Sequence, residues 1–186
     1  SEHIVDYSSH YVDFTMSNGI LYGKQDFTEL MRYTFPEIKF SNRNQRDDLD
    51  VERRVNMTLL KGLCNDIEIY RCRGLIDQTP RYQAYLAAVN GIRERYKDCF
   101  MFGRFRDILG FNSSNKKVQA KSFVGEKRMV VAATNEFEKG VISTDIAVPG
   151  YRYVECQTLG NAKVSADGKK VELGQYDLAV LLFEKE

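Results

Sequence analysis

The hydrophobic pattern of this chain changes period near residue 110. Upstream, Val51, Val55, Leu59 and Leu63 recur every four residues, and Leu60 and Cys64 widen the stripe. That spacing predicts an amphipathic helix over about 49–64. Asp47, Asp48 and Asp50 lie where the positive end of its dipole favours carboxylates, Gly62 is expected to weaken its last turn, and Asn65-Asp66 to end it. A second helix is predicted over 79–98. Thr79 is placed to cap it, Pro80 sits where a missing N–H costs little, and Tyr82, Tyr85, Leu86, Val89, Ile92 and Tyr96 form its stripe. Short β-like runs at 38–40 and 67–72 precede each helix. The order strand, helix, strand, helix has the spacing of βα units. Nearer the start, 11–16 alternates and 26–33 reads as a short helix closed by Pro36.

Downstream the period shortens to two. Asn112-Ser113-Ser114-Asn115 reads as a loop and as the boundary between two regions, 1–112 and 113–186. Seven strands are predicted after it, at 118–123, 128–134, 141–148, 151–156, 162–166, 170–173 and 176–183. Asp167-Gly168 is read as a tight hairpin with both turn positions at positive φ, and Pro149-Gly150 as another reversal. Short strands at this density predict an antiparallel β-sandwich with the aliphatic run 178–183 at its centre. The fold class expected is α+β: βα units, then a sandwich.

Composition narrows the function. The chain is 43% hydrophobic and 28% charged, as for an ordinary globular protein, and its net charge of +1 offers no general field for nucleic acid. The longest apolar run, Leu178 to Phe183, falls well short of the roughly 20 residues of a membrane-spanning helix. Neither a nucleic-acid nor a membrane partner is therefore expected. Cys64, Cys72, Cys99 and Cys156 make no CxxC, and the only histidines are His3 and His10. Zinc is not expected, and the cysteines read as buried free thiols. No phosphate loop, nucleophile elbow or HExxH is present, so no cofactor is expected.

The succession of features resembles the C-terminal end of glycoside hydrolases built as a (β/α)8 barrel followed by a β-sandwich, the layout of α-amylase-like and α-galactosidase-like enzymes. Phe35-Pro36-Glu37-Ile38-Lys39-Phe40-Ser41-Asn42-Arg43 looks like a late barrel strand, 51–64 like the helix after it, 66–72 like the last strand, and 79–98 like the last helix. Gly103-Arg104-Phe105, Val118 to Phe123 and Val130 to Asn135 resemble entry into the sandwich, and Gly174 to Leu182 its last strand. The resemblance implies that the region 1–112 is the end of a TIM barrel and that chemistry belongs at the C-terminal ends of its strands. Two carboxylates would then do the work, one protonating the leaving oxygen and the other attacking or activating water.

On that reading Glu2 and Asp6 are the candidate catalytic carboxylates, with a solvated terminus as their plainer reading. Asn42 and Arg43, after a strand, are candidates for binding sugar hydroxyls, or else an ordinary polar loop. Arg71 and Arg73 read as surface partners of Glu68 or Asp77. Tyr82, Tyr85 and Tyr96 read as core, while Tyr151 and Tyr153 share a strand face that could stack on a sugar ring. The chain is expected to be the C-terminal portion of an enzyme on oligo- or polysaccharides, inactive alone. The parent is expected to bind carbohydrate and, by resemblance, to be exported to the periplasm or beyond. A homodimer covering the helical face is a further expectation. The alternatives are a non-catalytic carbohydrate-binding or structural module in which 113–186 is the stable unit, or an α+β interaction protein unrelated to sugars.

Overall fold

The computed structural model describes residues 41–45, 50–67 and 78–186. Strand β1 (Ser41–Gln45) and strand β2 (Cys64–Ile67) pair in parallel, with Asn42 opposite Asn65 and Arg43 opposite Asp66. Helix α1 (Val51–Leu60) forms the crossover between them. The expected βα order is therefore present, with the second strand starting three residues earlier than its own pattern suggested.

Gly62 is the reason. It takes φ +67°, a left-handed conformation open to glycine at little cost, and ends the helix. The Leu63 N–H then donates to the Thr58 carbonyl at 3.0 Å and the Gly62 N–H to Leu59 at 2.9 Å, closing the helix end with a Schellman-type turn. Gly62 is thus a stop signal rather than a weak point, and the chain is already extended at Cys64.

Helix α1 is buried on more than one stripe. Val51, Val55, Leu59 and Leu60 are inaccessible, and so are Asn56 and Thr58. It touches β1, β2, the following helix and the sandwich, which accounts for burial around most of its circumference. Helix α2 (Pro80–Arg95) follows the predicted pattern more strictly: Tyr82, Leu86, Val89 and Ile92 are buried and the opposite face is exposed. Pro80 opens it as expected, but the Thr79 side chain makes no capping hydrogen bond. A short helix α3 (Lys97–Phe100) completes the layer.

The strands that follow are β3 (Arg104–Asp107), β4 (Asn112–Ser113), β5 (Gln119–Val124), β6 (Arg128–Thr134), β7 (Ile142–Ala147), β8 (Tyr151–Leu159), β9 (Lys163–Val164), β10 (Lys170–Leu173) and β11 (Leu178–Lys185). All seven predicted strands are present. The first two were not read from the alternation: β3 stands where Gly103-Arg104-Phe105 resembles entry into the sandwich, and β4 falls inside the stretch read as a loop. A five-stranded antiparallel sheet has the order β3-β5-β6-β11-β8, and a four-stranded one the order β4-β7-β10-β9. The aliphatic β11 lies between β6 and β8, inside its sheet as predicted.

The molecule is an α+β fold whose two sheets form a sandwich. One core lies between the sheets, where Met129, Val131, Ala133, Leu181 and Phe183 meet Ile146, Val171 and Leu173. The other face of the five-stranded sheet, carrying Phe105, Phe123, Val130, Ala132, Val180 and Leu182, packs against α1, α2 and α3. The apolar stripes of both long helices are therefore covered by the sheet and by each other.

The turn at 167–168 differs from expectation. Gly168 has φ +69°, but Asp167 is not at positive φ. Its carboxylate accepts from the Ser165 hydroxyl at 2.6 Å and the Lys169 N–H at 3.1 Å, building a longer loop between β9 and β10. Gly150 (φ +77°) makes the reversal after Pro149, which carries the chain from β7 in one sheet to β8 in the other.

Leu181 is the central test of this packing. Leu181→Ala is expected to cost about 2–5 kcal/mol, because the cavity would open in a sheet closed on both faces. Gly62→Ala should cost only about 1 kcal/mol, the strain of one left-handed alanine. Urea denaturation of both variants, with unchanged slope, checks the order; a smaller loss for Leu181→Ala than for Gly62→Ala would contradict it.

Candidate functional site

The sequence-predicted residues divide sharply. Glu2 and Asp6 lie outside the described residues, as do His3, His10, Asp47, Asp48, Cys72, Arg71, Arg73 and the elements expected at 11–16, 26–33 and 38–40. Asn42 and Arg43 are placed, but within β1 rather than in a loop after a strand. The parallel register sets Arg43 opposite Asp66 and Asn42 opposite Asn65. Asp66, read from sequence as part of a helix stop, is thus a strand residue in register with one of the pair already singled out.

A second polar cluster forms where α1 meets the sandwich. Arg53 donates through Nε and Nη2 to Glu136 Oε1, at 3.1 and 3.0 Å. The Glu136 side chain is 2% accessible and that of Arg53 17%. Burial pushes the Glu136 carboxyl above its usual range, against the opposing pull of Arg53 and Lys61. Beside it, the Tyr85 hydroxyl donates to Asn56 Oδ1 at 2.8 Å, and Asn56 Nδ2 donates to the Tyr176 carbonyl at 2.9 Å. Burial also raises the Tyr85 phenol.

Asn135 sets the loop that carries Glu136. Its amide donates to the carbonyls of Glu138, Gly140 and Leu173, and its Oδ1 accepts from the Glu138 N–H at 3.0 Å. Asp177 holds the opposite turn by accepting from the N–H groups of Gly174 (2.7 Å) and Asn161 (2.9 Å). This cluster satisfies buried polar groups and fastens α1 to the strand ends. Its geometry is that of a joint between helix and sheet.

Three further features bear on chemistry. Lys121 of β5 pairs with Asp107, both side chains nearly inaccessible, on the helix-facing side of the sheet. A shallow groove of about 540 Å³ is lined by Asp98, Glu126, Lys127, Arg128, Glu184 and Lys185. Within it Arg128 donates to Asp98 through Nε and Nη2 and holds that carboxyl below its usual range. At the far edge, Arg95 makes a two-pronged pair with Glu155, and the Tyr96 hydroxyl donates to the same carboxylate at 3.2 Å.

The aromatic and thiol readings resolve simply. Tyr82 and Tyr96 are core, and Tyr85 is partly buried against it. Tyr151 and Tyr153 pack on the core between the sheets, Tyr153 edge-on to Phe183 at 5.8 Å, so neither presents a free face of the platform kind. Cys99 is buried, its thiol pushed up to about 12 mainly by burial, whereas Cys64 and Cys156 are free but only half-buried. Among the described residues no cluster of His, Cys, Asp or Glu is placed to hold a metal ion, and no helix is long and apolar enough to cross a membrane.

No protein-family model matches the chain, and no curated protein matches it. Among solved structures, a GH30 endoxylanase from Clostridium papyrosolvens is 11% identical, with 78% of this chain and 41% of the xylanase covered at a TM-score of 0.45. Trehalulose synthase MutB from Pseudomonas mesoacidophila is 17% identical over 65% of this chain and 22% of its own, at 0.46. An isomaltulose synthase mutant from Erwinia rhapontici, in complex with D-glucose, is 12% identical over 65% and 22%, at 0.44. At these scores the likeness is loose, and the chain spans less than half the length of each.

The Arg53–Glu136 joint yields a pH signature. The unfolded carboxyl titrates near 4.5 and the folded one higher, so the folded state takes up the proton first. Stability from this group therefore rises as pH falls through the folded value and levels off below about 4.5, while above it the buried carboxylate costs stability. Glu136→Gln should abolish that acid-side gain. Arg53→Ala, which leaves the carboxylate buried without its main partner, should cost about 2 kcal/mol at pH 7. Urea midpoints between pH 7 and 4.5 measure both; identical pH slopes for Glu136→Gln and the parent chain would refute the assignment.

Proposed function

We propose that this chain is the C-terminal portion of a glycoside hydrolase acting on oligo- or polysaccharides, inactive by itself. The observation that carries the reading is the parallel pairing of β1 with β2 through the α1 crossover. Parallel strands occur almost only in sheets of several strands with both faces covered. Among the described residues each of these two strands has one neighbour and one open edge. Further parallel strands on those edges would complete a βα barrel, with Asn42, Arg43 and Asp66 near its active end. Glu2 and Asp6 then stand as the proposed carboxylates, and carbohydrate as the ligand of the complete parent. Fold alone does not fix chemistry, so the assignment rests on what those strand ends can do.

The helices end at Phe100, well before the division proposed at 112/113, and residues on both sides of that division contribute to the sandwich: β3 belongs to the five-stranded sheet. Without the helices, Phe123, Val130, Ala132, Val180 and Leu182 would face water. That argues against 113–186 as a self-sufficient carbohydrate-binding module. A second copy is likewise not required to cover the helical stripes, which already meet the sheet.

A panel of nitrophenyl glycosides tests the proposal on this chain and on a longer parent carrying further βα units. Turnover is expected from the parent, lowered at least ~100-fold by Glu2→Gln or Asp6→Asn if those groups move the proton, and none from this chain. Turnover by this chain alone, or a parent inert towards every glycoside, would overturn it. A fragment of residues 113–186 is expected to be insoluble or molten, judged by near-UV circular dichroism and dye binding.

A further inference from the structure

We propose that the groove beside the β5–β6 turn binds a phosphate monoester on a hydroxylated carrier, the chemical class of a sugar phosphate. The groove has a volume of about 540 Å³ and is lined by Asp98, Glu126, Lys127, Arg128, Glu184 and Lys185. That volume lies within the range of small-molecule sites. The proposal goes beyond the glycoside hydrolase reading and stands or falls without it, because binding here requires no turnover.

Strand register builds the cationic end of the groove. Strands β6 and β11 pair with Arg128 opposite Glu184. The Lys185 N–H then donates to the Lys127 carbonyl at 3.0 Å, which carries the same register one residue further. Lys127 and Lys185 are therefore directly opposite one another. Cross-strand neighbours share a face, with Cβ atoms roughly 5 Å apart, and like charges placed there repel. The adjoining carboxylates are already engaged: Glu184 by Arg152 at 2.6 Å, and Asp98 by Arg128 through Nε and Nη2. An anion held between the two ammonium groups would turn a repulsive pair into two charge-assisted hydrogen bonds.

Charge and shape select the anion. Fork-like recognition of a carboxylate needs a guanidinium, and Arg128 and Arg152 both hold protein carboxylates. Two lysines act as point charges and suit a compact dianion. A phosphate monoester carries roughly −1.5 to −2 charge at pH 7 and offers three strong acceptor oxygens. Glu126, exposed on the turn beside Lys127, sets the character of the rest of the ligand. Its carboxylate repels a second anionic group and accepts hydrogen bonds from hydroxyls. A neutral, hydroxyl-bearing carrier therefore fits this wall.

Isothermal titration calorimetry on the full chain at low salt, with glucose 6-phosphate as probe, should show saturable binding with a Kd below about 1 mM. Glucose 6-sulfate, a monoanion of similar shape, and inorganic phosphate, which lacks the carrier, should each bind about fivefold more weakly, and glucose alone should not bind. Lys127→Gln with Lys185→Gln should weaken glucose 6-phosphate binding about tenfold, through loss of two charge-assisted hydrogen bonds, with circular dichroism unchanged. Lys116→Gln with Lys139→Gln removes the same charge at the opposite end of β5 and β6 and should leave the affinity as it was. Absence of saturation, equal affinity for the phosphate and sulfate esters, or equal losses in the two lysine pairs would overturn the proposal. So would inorganic phosphate binding as tightly as the ester, since that would make the free ion the ligand.

Discussion

The double burial of the five-stranded sheet is the constraint on which this structure depends. Strands β6 and β11 carry buried side chains on both faces: Met129, Val131, Ala133 and Leu181 meet the second sheet, and Val130, Ala132, Val180 and Leu182 meet the helices. An antiparallel sheet of a simple sandwich would bury one face and solvate the other. Here the second face is closed by α1, α2 and α3, so helices and sandwich stabilise each other through shared apolar surface. Removing either partner would expose a continuous hydrophobic plane.

The polar groups at the margins follow from that closure. Helix α1 is enclosed on most of its circumference, so its polar residues cannot all reach water. Asn56 is satisfied by Tyr85 and the Tyr176 carbonyl, and Arg53 by Glu136. Arg93 of α2 likewise reaches back to the Leu63 carbonyl at 2.5 Å, fixing that helix against the start of β2. Such groups contribute little net stability but define one arrangement of helix against sheet, because any displacement leaves a buried donor or acceptor unmade. The position of β1 and β2, and hence of Arg43 beside Asp66, is set by these joints.

Much of this was legible in the sequence, and the misses have identifiable causes. The four-residue recurrence of Val51, Val55 and Leu59 and the run at 178–183 located α1 and β11, since both patterns reflect burial directly. Periodicity does not show β3, because Arg104-Phe105-Arg106-Asp107 has one apolar residue, and only the resemblance of Gly103-Arg104-Phe105 to a sandwich entry points to it; β4 is two residues long and held by tertiary pairing. Alternation in Gln119, Lys121 and Phe123 could be read as a polar face interrupted by one aromatic; the structure makes it an interior face, with Lys121 neutralised by Asp107. Periodicity reports which residues share a face but not what covers that face.

The same limit applies to candidate sites. Asn42 and Arg43 read as polar residues after an apolar run, while the parallel register that sets Asp66 opposite Arg43 is invisible in one-dimensional spacing, because it joins strands separated by a helix. Glu136 sits in the polar stretch Thr134-Asn135-Glu136, where composition predicts a solvated loop. Its burial follows only once Asn135 gathers three carbonyls and turns the loop towards α1. A carboxylate beside a guanidinium can be a joint or a catalytic group, and the surroundings decide which. Glu136 faces packed protein and fastens a helix. Arg43 and Asp66 are opposite one another only in the backbone register of β1 and β2.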